Sequence, residues 1–207
     1  MSIGQIDDRS LEAAAVEPGL TPATDGRRRR SERSRDQIVQ AMLDLVSEGA
    51  VSPSAESVAL RAGVGLRSVF RHFRDMDSLF AEITTRLARQ YDFWLVPFVA
   101  PDWRGKIAET MDRRLTTYEM LLPFKRAADA HRHRSAAIRA EHDRARMMMR
   151  ARLESILPPD VATDRLRVEA IDMLISFDVW QRLRTEQALD PALARALVER
   201  QIAALIA

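Results

Sequence analysis

Residues 54–73 constrain the fold most. They read Ser-Ala-Glu-Ser-Val-Ala-Leu-Arg-Ala-Gly-Val-Gly-Leu-Arg-Ser-Val-Phe-Arg-His-Phe. The spacing predicts a helix over 54–62, with the Ser54 hydroxyl capping its first N–H groups. Gly63 suits the left-handed backbone of a tight turn. A second helix follows over 66–73. Val58 and Ala59 point inward from the first helix; Val69 and Phe73, four apart, do so from the second. Arg67, Ser68, Arg71 and His72 stay nearer the outside, with Phe70 at the margin. This pattern is a helix-turn-helix, which lays its second helix in the major groove of DNA.

Charge supports a polyanionic partner. The net charge is only +2 over 207 residues, but it is unevenly placed. Residues 1–26 set Arg9 against Asp7, Asp8, Glu12, Glu17 and Asp25, a net of −4. Residues 27–74 set ten arginines against Glu32, Asp36, Asp44, Glu48 and Glu56, a net of +5. A basic block over the helix-turn-helix is the footprint of nucleic-acid binding.

The rest of the chain reads as helical. Apolar residues make up 46% with only seven glycines, and the apolar positions recur at helical spacing. Residues 1–30 are expected to be a disordered arm ending in Arg27–Arg30, either a passive tail or a basic arm reaching along the DNA backbone or into the minor groove. A helix is predicted over 31–48, stopped by Gly49, with Ile38, Met42, Leu45 and Val46 on its apolar face. Asp75 caps a fourth helix bearing Leu79, Phe80, Ile83, Leu87, Tyr91 and Trp94, ended by Pro97. Further helices are predicted over 103–122, ended by Pro123, then 135–157, 163–186 and 190–206, with a short segment before 130. The expectation is an all-α chain of about nine helices. Residues 31–80 would form the DNA-binding domain and 81–207 a second domain.

There is no cysteine, so no disulfide or thiolate chemistry. No window approaches the ~20 apolar residues of a membrane span, and the N-terminus carries acids where a signal peptide has basic and apolar residues. A cytoplasmic protein with no membrane partner is expected.

Residues 33–85 resemble the tetracycline-repressor (TetR) family of bacterial regulators. The resemblance lies in the order of parts: Leu45-Val46-Ser47-Glu48-Gly49, then Ala59-Leu60-Arg61-Ala62-Gly63-Val64, then Ser68-Val69-Phe70-Arg71-His72-Phe73, then an acidic cap before Leu79-Phe80. It implies a dimeric regulator on a palindromic operator, with a small-molecule pocket between the DNA-binding unit and the dimer interface. The segment 174–184 resembles the family's penultimate helix, which with the last helix pairs with its copy in a second subunit. Three departures stand out. Phe70 replaces the usual phosphate-binding Tyr. Met76 replaces the usual phosphate-binding Lys, a contact that Arg74 could take over. Gly65-Leu66-Arg67 opens the recognition helix in an unusual way.

The chemistry of single residues follows. Arg67 is suited to guanine O6 and N7, or to phosphate alone. Ser68, Arg71, His72 and Arg74 are expected at the DNA backbone with Ser54. The N–H of Gly65 faces phosphate, and Leu66 either packs or meets a thymine methyl. Trp94, Phe98, Trp103, Tyr118, His142, Met149, Met173 and Phe177 are the expected lining of a small hydrophobic effector's pocket, with ordinary core packing as the alternative. Two apolar stripes on each of the last two helices point to a dimer interface of Ile171, Leu174, Ile175, Arg182, Leu197, Val198, Ile202 and Leu205, the alternative being burial within one subunit. No catalytic residues, metal site or cofactor are expected; Arg132 between His131 and His133 repels a metal ion.

The expectation is a repressor released by a small apolar effector. Two other readings stay open on the residues: a helix-turn-helix protein without an effector, and a helical interaction or enzyme domain whose basic segment is incidental.

Overall fold

The computed structural model describes residues 22–90 and 96–207. Among them there are ten α-helices and no strand: α1 Pro22–Ser47, α2 Ala55–Ala62, α3 Leu66–His72, α4 Met76–Gln90, α5 Trp103–Arg132, α6 Ala136–Glu154, α7 Pro159–Thr163, α8 Arg165–Leu174, α9 Phe177–Gln181 and α10 Pro191–Ile206. A π-helical turn, Arg182–Glu186, continues α9.

Two apolar clusters organise these helices. The first joins Ile38, Met42 and Val46 of α1 to Val58, Val69, Leu79, Phe80 and Ile83 of α2–α4. Ala127 of α5 and Ile138 of α6 complete it. The second joins Ile107, Leu115 and Tyr118 of α5 to Leu153, Ile171, Ile175, Trp180, Val198 and Ile202 of the later helices. Each buried aliphatic or aromatic side chain contributes about 1.5–3 kcal/mol of burial free energy.

Three helix boundaries differ from the sequence reading. First, α1 begins at Pro22, so Arg27–Arg30 lie on a helix and not in a disordered arm. Arginine is a good helix former, and Arg28 Nε bonds Glu32 one turn on at 2.9 Å. Second, α5 passes through Pro123 without ending. Proline removes one ladder bond and usually ends or kinks a helix. Here Leu115 and Tyr118 before it and Ala127 after it are buried in the two clusters, so tertiary packing holds both flanks. Third, the helix expected over 163–186 is divided. Asp164 accepts from the N–H of Arg167 at 3.1 Å, and Ser176 accepts from that of Val179 at 3.3 Å, each capping a new start. The break leaves the Ile175 carbonyl free of the helical ladder, and the Tyr118 hydroxyl donates to it at 3.2 Å.

Candidate nucleic-acid interface and ligand cavity

The helix-turn-helix is built from local signals. Ser54 Oγ accepts from the N–H of Ser57 at 3.2 Å and starts α2. Gly63 ends it at φ +65°, where a side chain would be strained. Its neighbour Val64 donates to Ala59 O at 3.0 Å, closing the turn. Gly65, extended, is the N-cap of α3. Val69 and Phe73 are buried, which fixes the roll of α3. That roll leaves Leu66, Arg67, Phe70 and Arg71 exposed and Ser68 half-buried.

Ion pairs brace this unit from behind. Arg61 forks onto Glu48 with two bonds of 2.7 Å, tying α2 to the end of α1. That hydrogen bond holds the Glu48 carboxyl below its usual range. Arg35 bonds Glu82 and lies 5.0 Å from the Phe73 ring centre, tying α1 to α4 and the end of α3. Asp75 and Ser78 cap each other's backbone at the start of α4, and Arg74 bonds the Asp75 carboxylate at 2.8 Å. Arg74 is thus exposed but has a carboxylate partner. Met76 is half-buried and packs on the first cluster. His72 is also half-buried, and its Nε2 is shut from solvent without a hydrogen-bond partner. Burial, then Arg71 and Arg35, push its pKa below the usual imidazole value. Arg27–Arg30 and Arg33 stand exposed along the first turns of α1.

The second region holds a cavity of about 570 Å³. Its apolar wall is Leu87 of α4, Tyr118, Leu121 and Phe124 of α5, Ala145, Met148 and Met149 of α6, Met173 of α8 and Phe177 of α9. The Tyr118 and Phe177 rings stand 4.5 Å apart, tilted by 39°. Full burial pushes the Tyr118 hydroxyl up to about 12, with Asp172 and Asp178 acting in the same direction. It therefore stays a proton donor, its single hydrogen shared between Ile175 O and the Met149 sulfur, each 3.2 Å away. His142 also lines the space, with Nε2 3.2 Å from Arg132 Nη1. Burial, then the Lys125 and Arg132 charges, lower its pKa. Lys125 sits between Asp129, at 2.5 Å, and Asp178, at 3.3 Å.

Five of the eight expected pocket residues line this cavity: Tyr118, His142, Met149, Met173 and Phe177. Trp94 lies outside the described residues. Phe98 borders a separate, smaller space, and Trp103 packs on the second cluster instead. Trp103 opens α5 far from the cavity and is held there by Arg104 and Arg167, 4.5 and 5.7 Å from its ring centre. The sequence reading missed Thr84, Thr85, Leu87 and Ala88 of α4 as lining. Nothing in helical periodicity says that one helix serves a core at one end and a cavity at the other.

The expected dimer residues divide. Ile171, Ile175, Val198 and Ile202 are 0–2% exposed inside their own subunit, because α10 packs its stripe onto α5 and α8. They are not available to a partner. Leu174 and Leu205 are half-buried, and Arg182 and Leu197 are exposed. The exposed apolar residues of α8 and α10 are Leu166, Met173, Leu193 and Leu197.

No known family's sequence model matches the chain, and no curated protein matches it. Solved structures do. A tetR-family transcriptional regulator from Streptomyces coelicolor is 18% identical, with 84% of this chain and 80% of that one covered and a TM-score of 0.63. A TetR-family transcriptional regulator from Mesorhizobium loti is 21% identical over 86% and 96%, with a TM-score of 0.60. The multidrug binding protein EbrR, solved complexed with ethidium, is 22% identical over 81% and 98%, with a TM-score of 0.53. The order of helices, the helix-turn-helix at their head and these likenesses agree: the chain has the fold of the TetR-family transcriptional regulators.

Proposed function

We propose that the chain is a dimeric DNA-binding transcription regulator, a repressor released when a small, largely apolar effector fills the cavity. The two regions correspond to a DNA-binding domain over 31–80 and an effector and dimerisation domain over 81–207. The observation that carries this reading is the wall between them. Phe124, Ala128 and Ile138 line the cavity and also belong to, or pack on, the first cluster beneath the recognition helix. Helix α4 does the same along its length, with Leu79 and Phe80 in that cluster and Thr84, Thr85, Leu87 and Ala88 on the cavity. A ligand that spreads this wall moves the support of α3 directly.

Arg67 reaches for the major groove, flanked by Leu66 and Phe70, while Ser54, the Gly65 N–H, Ser68, Arg71 and Arg74 face the backbone. His72 supports the helix more than it touches DNA. Arg27–Arg30 extend the basic face and steepen the salt dependence of binding. The partner subunit sits on the exposed side of α8 and α10, around Leu166, Leu193 and Leu197, with Arg182 at its edge. Two-fold symmetry then presents two recognition helices to half-sites one turn apart. The effector acts by preferring a dimer whose recognition helices no longer match the grooves. The ethidium complex of EbrR supports a small molecule in this fold. The reading without an effector leaves a space of about 570 Å³, with the buried Tyr118 and the half-buried His142 on its wall, unexplained.

Selection of bound sites from random DNA tests the reading. A palindrome with half-sites about 10 base pairs apart is expected. No enrichment, at low salt as well, overturns it.

A further inference from the structure

A second, much smaller space adjoins the cavity. It measures about 10 Å³, room for one water-sized atom, and is lined by Phe98, Thr110, Arg113, Arg114, Met148, Met149 and Arg152. Arg114, Met148 and Met149 line both spaces, so they form the partition between them.

Three guanidiniums meet at this partition. Arg113 bonds Glu109 at 2.8 Å and the Val96 and Pro97 carbonyls. Arg114 is 3% exposed; it donates to the Met149 and Ile175 carbonyls, and its nearest carboxylate, Asp172, is 3.6 Å away and also serves Arg150. Arg152 lies against the Phe98 ring, 4.3 Å from its centre, and donates to Val96 O. Among the described residues no carboxylate reaches it. Burial, then the Arg113 and Arg114 charges, depress its pKa. Like charges gathered this way in a partly dry site cost stability unless an anion joins them.

We infer that the effector is a lipophilic carboxylic acid, its apolar body in the large cavity and its carboxylate against Arg114 and Arg152 at the Met148–Met149 partition. The inference rests on the reading of the large cavity as an effector site. The size of the small space selects the head group. The space takes one oxygen: a carboxylate then leaves only its second oxygen at the Met148–Met149 partition, whereas a tetrahedral phosphate or sulfate leaves two or three against that apolar wall. Guanidinium forks suit the two oxygens of a carboxylate. The partition is made of the two side chains best able to move aside, unbranched thioethers with three rotatable bonds. The Tyr118–Phe177 pair and Leu121 then meet the apolar chain.

The test uses the full-length protein and a fluorescent probe, 11-(dansylamino)undecanoic acid, beside its methyl ester. Their bodies are the same; the ester removes the charge and adds one methyl group. The acid should bind at least about tenfold more tightly than the ester, the range of a charge-assisted hydrogen bond. Arg152→Gln should bring the two affinities together. Arg114→Gln is a weaker choice, since Arg114 also braces two helices. Equal or tighter binding of the ester to the wild type overturns the proposal, as does a preference for the acid that survives in Arg152→Gln. Ala145→Trp, which fills the large cavity, separates the two levels. If it abolishes binding of both probes while the acid has no advantage, the cavity reading stands and the head-group assignment falls. If neither probe binds the wild type, or both bind Ala145→Trp as well as wild type, both fall.

Discussion

The helix-turn-helix and the region behind it bury similar residues to different ends. Around α3, Val58, Val69, Leu79 and Phe80 are at most 1% exposed and close on one another. Behind α4, Tyr118 is equally buried, yet it and Phe177 stand at the wall of a space of about 570 Å³. A core of short helices that must hold one helix at a fixed roll gains from solid packing. On the proposed reading the second region exists in two states, filled and empty, and a void braced by polar contacts suits it. Arg114 and Tyr118, on the cavity wall, supply that bracing; away from the wall, Glu119 accepts two bonds of 2.9 Å from Arg184 and one of 3.1 Å from Trp180 Nε1, tying α5 to α9 and the π-helical turn. Packing resists change everywhere at once; a braced void can be changed at one place.

The largest test asks whether the two regions are independent. Ile202→Asp puts an unpaired charge where exposure is 2%, and should cost about 4 kcal/mol or more. Because Ala127 and Ile138 complete the first cluster from α5 and α6, the loss should reach the recognition unit and DNA binding. Circular dichroism melts and operator binding measured together check this. Leu193→Glu, on the exposed side of α10, should leave the subunit folded and shift sedimentation from dimer to monomer. A folded Ile202→Asp would break the comparison.

Next, one substitution can be placed in both regions. Ala59→Trp in the first cluster should cost about 3 kcal/mol through overpacking. Ala145→Trp on the cavity should change the melting point little and abolish effector response while operator binding persists. Equal destabilisation by both would mean that the cavity does not stay open in solution.

Of middle size is Arg67→Ala. It should cost about 1–3 kcal/mol of operator affinity and relax preference at one position per half-site. A uniform loss across sequences in a gel-shift series would assign it to phosphate.

Acid should find the two regions at different pH. His72 has a depressed pKa, so its contribution is full above its unfolded value near 6.5 and is lost as pH falls through the lower folded value. Glu119 is held low first by Arg184, so its contribution lasts until pH falls through the folded value, beneath the ordinary carboxylate range. Thermal melts from pH 7 downward should show both windows; His72→Gln should remove the upper and Glu119→Gln the lower. The smallest effect is Phe70→Tyr. The added hydroxyl should tighten DNA binding by about 1 kcal/mol or less through one phosphate contact, without altering sequence preference.

The sequence shows these regions unequally. The helix-turn-helix is legible because each of its parts has a local cause: the Ser54 cap, the left-handed Gly63, and the four-residue step from Val69 to Phe73. Where tertiary contacts overrule local preference, reading along the chain goes astray. Pro123 has the local chemistry of a stop, yet packing carries α5 past it. The stretch 163–186 has an unbroken helical period, yet Asp164 and Ser176 each cap a new start. The stripes of Ile175 and Ile202 are real, but periodicity does not distinguish a helix's own subunit from a partner. Tyr118, His142 and Phe177 could be placed on one cavity because aromatic and methionine side chains gather with isolated polar groups in the central helices; Trp103, on the same reasoning, stands at the other end of α5 and packs on the second cluster.

The break after α8 has an evolutionary consequence. At Ile175 the chain braces the cavity region with a backbone carbonyl, which Tyr118 and Arg114 grasp. A carbonyl is the same whatever residue carries it, so substitutions at position 175 leave this anchor in place. The remaining lining on α5 and α6 consists of side chains, each open to exchange. Such a site separates a frame set by the backbone from a lining free to vary, so the shape of the cavity can change without first rebuilding the frame that holds it open.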